Sequence, residues 1–205
     1  MVDFKLLSKY KISYSECIVA KSQAQAVASA NKIGFPVAMK IISPSILHKT
    51  DRGGVLLGIG NAEEASSSFG LLMRRFASAK PEGVLVQKMA PHGGVELIMG
   101  GKRDAQFGQL IMFGVGGIFV EIFKDVSLRV CPITREDAKE MIHSLRAYPL
   151  LAGARGRKPV NEEAVISTLL KVSDLLTKEN PSEFDLNPVI ADDKGCIAVD
   201  IRLLK

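Results

Sequence analysis

The 205-residue sequence contains no tryptophan, three tyrosines and nine phenylalanines. A nucleic-acid groove needs stacking rings among its cations, so this poverty of aromatics argues against one despite a net charge of +5. The cations are dispersed apart from ARGRK at 154–158 and the Arg74–Arg75 pair. Phosphates on a small molecule suit them better. Cysteine is scarce too: Cys17, Cys131 and Cys196 are odd in number, far apart and form no C-x-x-C pair. That excludes a disulfide framework and a cysteine zinc site, and it fits a reducing cytoplasm. No long hydrophobic run is present. LIMFGVGGIFV is too short and too glycine-rich to cross a bilayer and is followed by Glu121. MVDFKLLSKYKIS lacks the apolar core and cleavage site of a signal peptide. A soluble protein with no membrane and no nucleic-acid partner is expected.

What is there is an ordinary globular mixture, 47% apolar and 24% charged, with no repeat or low-complexity tract. Helices alternate with strands, which points to a mixed α/β architecture. Ser22 with Gln25 reads as a capping box, and Gly34 ends that helix. Asn61 with Glu64, Thr134 with Asp137, and Asn161 open three more. His143 lies off the apolar stripe of the third helix. Strand candidates are PVAMKII, VLLGI, VLVQKM, VELIMG, LIMFG, SLRVCPI, EFDLNPVI and CIAVDI. The last two read as a hairpin about a turn containing Gly195. This order argues against a doubly wound parallel fold.

Several residues call for a chemical reason. Lys40 stands in FPVAMKIIS among apolar neighbours. A buried cation is costly unless an anion meets it, so Lys40 either snorkels to water or contacts a phosphate. DRGGV places Gly53 and Gly54 before a strand, either as a plain turn or as a nest of amides for phosphate oxygens. G-x-x-x-x-G-K-[ST] is absent, which excludes a P-loop. Glu96 is either a solvated strand residue or an acceptor for ribose hydroxyls. Antiparallel pairing about the Gly195 turn brings Asn187 near Asp200, and two oxygen ligands without histidine or cysteine suit Mg²⁺ held together with substrate phosphates. Asp185 and Glu183, two and four residues before Asn187, lie on the same face of that strand. His48, in SPSILHKTDRGGV, reads by itself more readily as a surface residue than as a reactive one.

The ordered set FPVAMK, SPSILHKTDRGGV, VLVQKMAPHGGVELIMG, FGVGGIFVEIFKDVSLRVCPI and EFDLNPVI…AVD resembles the ATP-grasp (β) subunit of ADP-forming acyl-CoA synthetases, with acetyl-CoA synthetase as the best-known type. That group is related to the β subunit of succinyl-CoA synthetase. The resemblance runs from LLSKYKIS to Asp200. It implies an α+β ATP-grasp fold over residues 1–205. Two subdomains, at about 20–85 and 86–205, would carry mixed, largely antiparallel sheets that clamp a nucleotide.

The resemblance also implies roles. Lys40 would contact nucleotide phosphates, with Arg52, Gly53 and Gly54 as a flap over them. Gln87, Lys88 and Met89 would form the hinge that meets adenine, and Glu96 would hold the ribose. Asn187 and Asp200 would hold Mg²⁺. His48 would carry the phosphoryl group to ADP, its ring oriented by Glu183 or, as second choice, Asp185. His92 is a rival because it too precedes two glycines. Glu121 is either a site residue or a structural ion-pair partner. The loop Arg155–Arg157 could meet a partner subunit, a phosphate or only solvent. ATP/ADP and Mg²⁺ are the implied cofactors. The implied partner is a separate α subunit with the CoA-binding and ligase domains, in a hetero-oligomer. The alternatives are a non-catalytic regulatory ATP-grasp module and another ATP-grasp carboxylate ligase. Acyl specificity, nucleotide preference and direction are not encoded in these motifs.

Overall fold

The computed structural model describes residues 4–46, 52–91, 93–117, 120 and 122–204. In chain order the elements are α1 (Phe4–Lys9), β1 (Cys17–Ala20), α2 (Gln23–Ile33), β2 (Val37–Ile42), β3 (Val55–Ile59), α3 (Ala62–Arg75), β4 (Gly83–Lys88), β5 (Val95–Asp104), β6 (Gly108–Val115), β7 (Val126–Val130), α4 (Arg135–His143), α5 (Tyr148–Leu151), α6 (Glu162–Glu179), β8 (Glu183–Ala191), β9 (Cys196–Ala198) and β10 (Arg202–Leu204). Among the described residues no helix is long and apolar enough to cross a membrane.

The helix starts follow the capping side chains. Ser22 accepts from the Gln25 N–H at 3.2 Å, Asn61 from Glu64 at 2.9 Å and Asn161 from Ala164 at 3.0 Å. Each satisfies a donor that the first helical turn leaves unpaired. Among the described residues, only Thr134 and Asp137 close a reciprocal capping box. The box expected at Ser22 is incomplete, because Gln25 turns its Oε1 to the N–H of Lys21 instead. Gly34 ends α2 with φ +87°, a conformation that costs glycine little.

Two compact units result. Ser15–Met89 form one; Ala90–Lys205, with the N-terminal stretch ending at Tyr14, form the other. The first has a four-stranded antiparallel sheet in the order β1-β4-β2-β3. Val37, Met39, Ile41, Val84 and Val86 pack with Ala26, Ala30 and Ile33 of α2 and Ala65, Phe69 and Leu72 of α3. Alternation then turns Ala38, Lys40 and Ile42 to the opposite face, yet all six positions of β2 are buried.

The second unit holds a six-stranded sheet in the order β10-β8-β5-β6-β7, with β9 also paired to β8. All its ladders are antiparallel. Leu97, Met99, Ile111, Phe113, Phe184 and Leu186 are fully or almost fully buried, as are Val165, Leu169, Val172 and Leu176 of α6. That leaves Glu183, Asp185 and Asn187 on the other face of β8.

One strand expectation needs correcting. CIAVDI is not one strand: β9 ends at Ala198, and the chain pairs again only at Arg202. Pro188 supplies the reason. Val199 N–H still donates to the Pro188 carbonyl at 2.9 Å, but Pro188 has no N–H to complete the rung. SLRVCPI likewise stops at Val130, ahead of Pro132.

Candidate functional site

Each unit carries its own group of the residues singled out above. In the first unit Lys40 lies mid-strand on β2, paired in register with Leu85 of β4 and Val55 of β3. It is 6% exposed, so the interior placement expected from its neighbours is real. Such burial is tolerable only when the ammonium meets partners. Cys17 senses that charge: burial pushes its thiol up to about 11, and the nearby Lys40 acts the other way. Cys17 is thus a poor nucleophile at neutral pH.

The Gly53–Gly54 turn is pinned to this lysine strand. The Gly54 carbonyl accepts from the N–H of Ile41, next to Lys40, at 2.9 Å. Gly53 has φ +68°, the left-handed region that favours glycine. Its carbonyl accepts from Arg75 Nη1 at 2.7 Å. Arg52 is exposed beside the turn. On β4, Gln87 is wholly buried between Cys17 and Ala38. Lys88 has both backbone groups engaged locally, its N–H on Glu16 O at 2.9 Å and its carbonyl under Ser15 Oγ at 2.7 Å. Met89 lies just past the strand end.

In the second unit the site is written in strand register. β9 and β10 pair with β8 in the same register, Val189 opposite Ala198 and Asp185 opposite Arg202. Continuing it through the gap sets Asn187 across from Asp200. The Asp200 carboxylate accepts from the Ile201 N–H at 3.0 Å, which leaves its second oxygen for other use. Asp185 faces Gly100 on its other side. A Cβ at Gly100 would come within 2.9 Å of Phe184 O and 3.2 Å of Asp185 Oδ1, so glycine makes room for that carboxylate. Asp185 Oδ1 is buried and has no hydrogen-bond partner among the described residues. Desolvation, reinforced by Glu183 and Asp200 and opposed by Arg202, pushes Asp185 up to about 6. Arg202 Nη1 lies 3.7 Å from Glu183 Oε1, so Glu183 is drawn to that cation. Glu96 is exposed on β5, and its carbonyl accepts from Gly116 N–H at 2.7 Å.

Among the described residues no group of three or more His, Cys, Asp or Glu is arranged to hold a metal by itself. Asn187 and Asp200 form a smaller, hard-oxygen set, which fits Mg²⁺ that takes its remaining ligands from phosphates and water. The bare oxygen of Asp185 beside them fits a cation or donor group as well.

His48, His92 and Glu121 lie outside the described residues, as does the side chain of Arg155. His143 is described: its Nε2 lies 3.0 Å from Glu162 Oε2 and its ring packs edge-on against Tyr148. Two cations in these clusters escaped sequence reasoning. Arg75 read only as part of a basic pair, and Arg202 fell outside the NP…D motif. Its position two residues after Asp200 was the available signal.

Comparison with known proteins identifies the family. The model of the ATP-grasp domain matches residues 3–204. The acetate–CoA ligase (ADP-forming) I subunit beta of Pyrococcus furiosus is 49% identical over 205 residues, covering 98% of this chain and 88% of that protein. A dinucleotide-forming acetyl-coenzyme A synthetase 1 of Candidatus Korarchaeum cryptofilum, solved with coenzyme A, Ca-AMPCP and HgCl⁺, superposes with a TM-score of 0.94 at 43% identity. It covers 98% of this chain and 89% of that one. The same enzyme with coenzyme A and Mg-AMPPCP has its phosphohistidine segment pointing towards the nucleotide binding site; there the TM-score is 0.84 at 42% identity, over 97% and 87% of the two chains. The chain belongs to the ATP-grasp family, among the beta subunits of ADP-forming acetate–CoA ligases.

Proposed function

We propose that this chain is the nucleotide-binding subunit of an ADP-forming acyl-CoA synthetase, passing a phosphoryl group between His48 and ADP. The overall reaction is acyl-CoA + ADP + phosphate ⇌ carboxylate + ATP + CoA. The observation that carries this reading is the β8 array: Asn187 opposite Asp200, with the buried Oδ1 of Asp185, unpaired among the described residues, alongside.

The chemistry follows from the residues. Neutral imidazole is a good nucleophile near pH 7. In the synthetic direction a terminal β-phosphate oxygen of ADP attacks the phosphorus on His48. The P–N bond breaks as the new P–O bond forms, and the ring nitrogen recovers its electron pair. The transition state is loose and anionic, so cations govern its energy. Lys40 and Arg52 supply positive charge, and the Gly53–Gly54 turn supplies backbone amides. Asn187 and Asp200 would hold Mg²⁺, which neutralises phosphate charge when bound. Asp185 or Glu183 would orient the ring by accepting its remaining N–H. The greater burial of Asp185 and the pull of Arg202 on Glu183 favour Asp185. Gln87–Met89 would meet adenine; Lys88 is already engaged through its backbone, so Met89 is the better backbone contact. Glu96 would hold the ribose. The two units stand for the two ATP-grasp subdomains.

CoA binding and acyl transfer fall to a partner α subunit, in a hetero-oligomer within the cytoplasm. Incubation with ATP labelled in its terminal phosphate, plus Mg²⁺, tests the reading. Label stable in alkali and lost in acid marks a phosphohistidine; its absence would sink the proposal.

A further inference from the structure

The β8 array contains a cation whose ion pair does not account for it. Arg202 stands on β10 directly across from Asp185, and Asp185 faces Gly100 of β5 on its other side. Residues opposite each other across an antiparallel ladder share a sheet face, as do residues two apart on one strand. Arg202 therefore lies on the face that carries Asp185, Asn187 and Asp200, beside the Asn187–Asp200 pair. Its ion pair with Glu183 is loose. Nη1 lies 3.7 Å from Glu183 Oε1, beyond hydrogen-bond reach, and the two side chains are 40% and 46% exposed. Exposed pairs of this kind add little stability. A guanidinium built to neutralise one carboxylate forms two short parallel bonds to it, and this one does not. Nor is Arg202 the register partner of Glu183, which faces Lys102 on β5 and Leu204 on β10. Arg202 Nε is buried and has no hydrogen-bond partner among the described residues. A buried donor without an acceptor is costly, and so loose a pair does not offset it.

We propose that Arg202 is a further catalytic residue: its guanidinium holds the oxygens of the phosphoryl group on His48 while that group passes between the ring and the nucleotide. The role rests on the reading of His48 as the carrier. With one ring nitrogen on Asp185, the other nitrogen and the phosphorus on it stand farther out from the sheet, by about the depth of the ring. Arginine has the length to reach that level from the facing position on β10. Its planar fork of N–H groups matches the oxygens over which a loose transition state spreads its charge, which a point charge would match less well. The neighbouring Asn187–Asp200 pair leaves the metal to the nucleotide phosphates and Arg202 to the group in transit.

Labelling rate and ADP affinity, both measured on the folded chain, separate this role from a structural one. ADP lacks the group in transit, so Arg202→Gln should keep its Mg-ADP affinity by calorimetry to within roughly threefold. Its single-turnover rate of acid-labile labelling, from ATP labelled in the terminal phosphate, should fall at least ~100-fold, the scale of one lost transition-state donor. Arg202→Lys keeps the charge without the fork and should label at an intermediate rate. Equal losses of labelling rate and ADP affinity in Arg202→Gln would mean a structural role and overturn the proposal. If Arg202→Gln labels as fast as the unaltered chain, and that chain labels on His48, only the Arg202 assignment fails. If the unaltered chain takes up no acid-labile label, the carrier reading fails and the role of Arg202 falls with it.

Discussion

The two units place their polar groups by different physical means. In the first, one lysine is buried on an otherwise apolar strand, and a glycine turn is tied down by backbone and arginine contacts. In the second, the polar groups are arrayed by strand register, every second residue of β8 facing one way with partners dictated by β5 and β10. A site of the first kind depends on a few local contacts and on desolvation. A site of the second kind depends on a whole ladder, and a slip of one residue would turn every group to the wrong face.

That contrast sets the order of expected effects. The largest belongs to the register-built site. Asp200→Asn should cut phosphoryl transfer more than ~10-fold and raise the Mg²⁺ requirement, because the metal neutralises developing charge. An unaltered Mg²⁺ titration would remove Asp200 from the ligand set. Next comes the buried cation. Lys40→Ala should weaken Mg-ADP binding by about tenfold, as expected for one lost charged contact, while leaving the fold intact. Calorimetry with ADP and a thermal melt check both halves, and unchanged affinity would break the comparison at its first term.

The third effect concerns stability and pH. Burial, with Glu183 and Asp200 close by, pushes Asp185 up to about 6, above the ordinary carboxylate value. Its folded form therefore holds a proton more tightly than its unfolded form. The stability this gives is complete at low pH and is lost as pH rises from about 4 through 6. Charged Asp185 is then a burden at neutral pH. In metal-free buffer Asp185→Asn should raise stability at pH 7.5 by about 1–2 kcal/mol, after allowance for partial exposure, and flatten the dependence between about pH 4 and 6. Melts at pH 5 and 7.5 decide it; a destabilised variant at pH 7.5 would show that a partner already compensates the charge. The smallest effect is a control in the second unit. Thr134→Ala removes the capping box of α4 and should cost about 1 kcal/mol of stability. ADP affinity, measured in parallel, should not change.

Legibility divided along physical lines. Local chemistry was readable: Ser22, Asn61, Thr134 and Asn161 do cap helices, and the Gly195 turn joins β8 to β9. The hidden position of Lys40 followed from its apolar neighbours. Of what depended on pairing, the facing of Asn187 and Asp200 about the Gly195 turn was readable and the finer consequences were not. The break after Ala198 needed the knowledge that Pro188 stands opposite Val199. Arg202 gains meaning only across from Asp185, and Arg75 only against Gly53, one strand and a helix away in sequence. The strand β1 escaped because four residues, Cys17–Ala20, give too short an alternation to recognise. His48 and the ligand roles rest on motif resemblance, since no spacing rule distinguishes a carrier histidine from a surface one.

Phosphate on His48 is the central claim, and mapping the label tests it most directly. The chain is incubated with Mg²⁺ and ATP labelled in its terminal phosphate, cleaved without acid, and the labelled peptide sequenced. Label should sit on His48 within SPSILHK, stable in alkali and lost in acid, and be absent from His48→Asn while that variant still binds ADP. Label on His92 or His143, or undiminished label in His48→Asn, would contradict it.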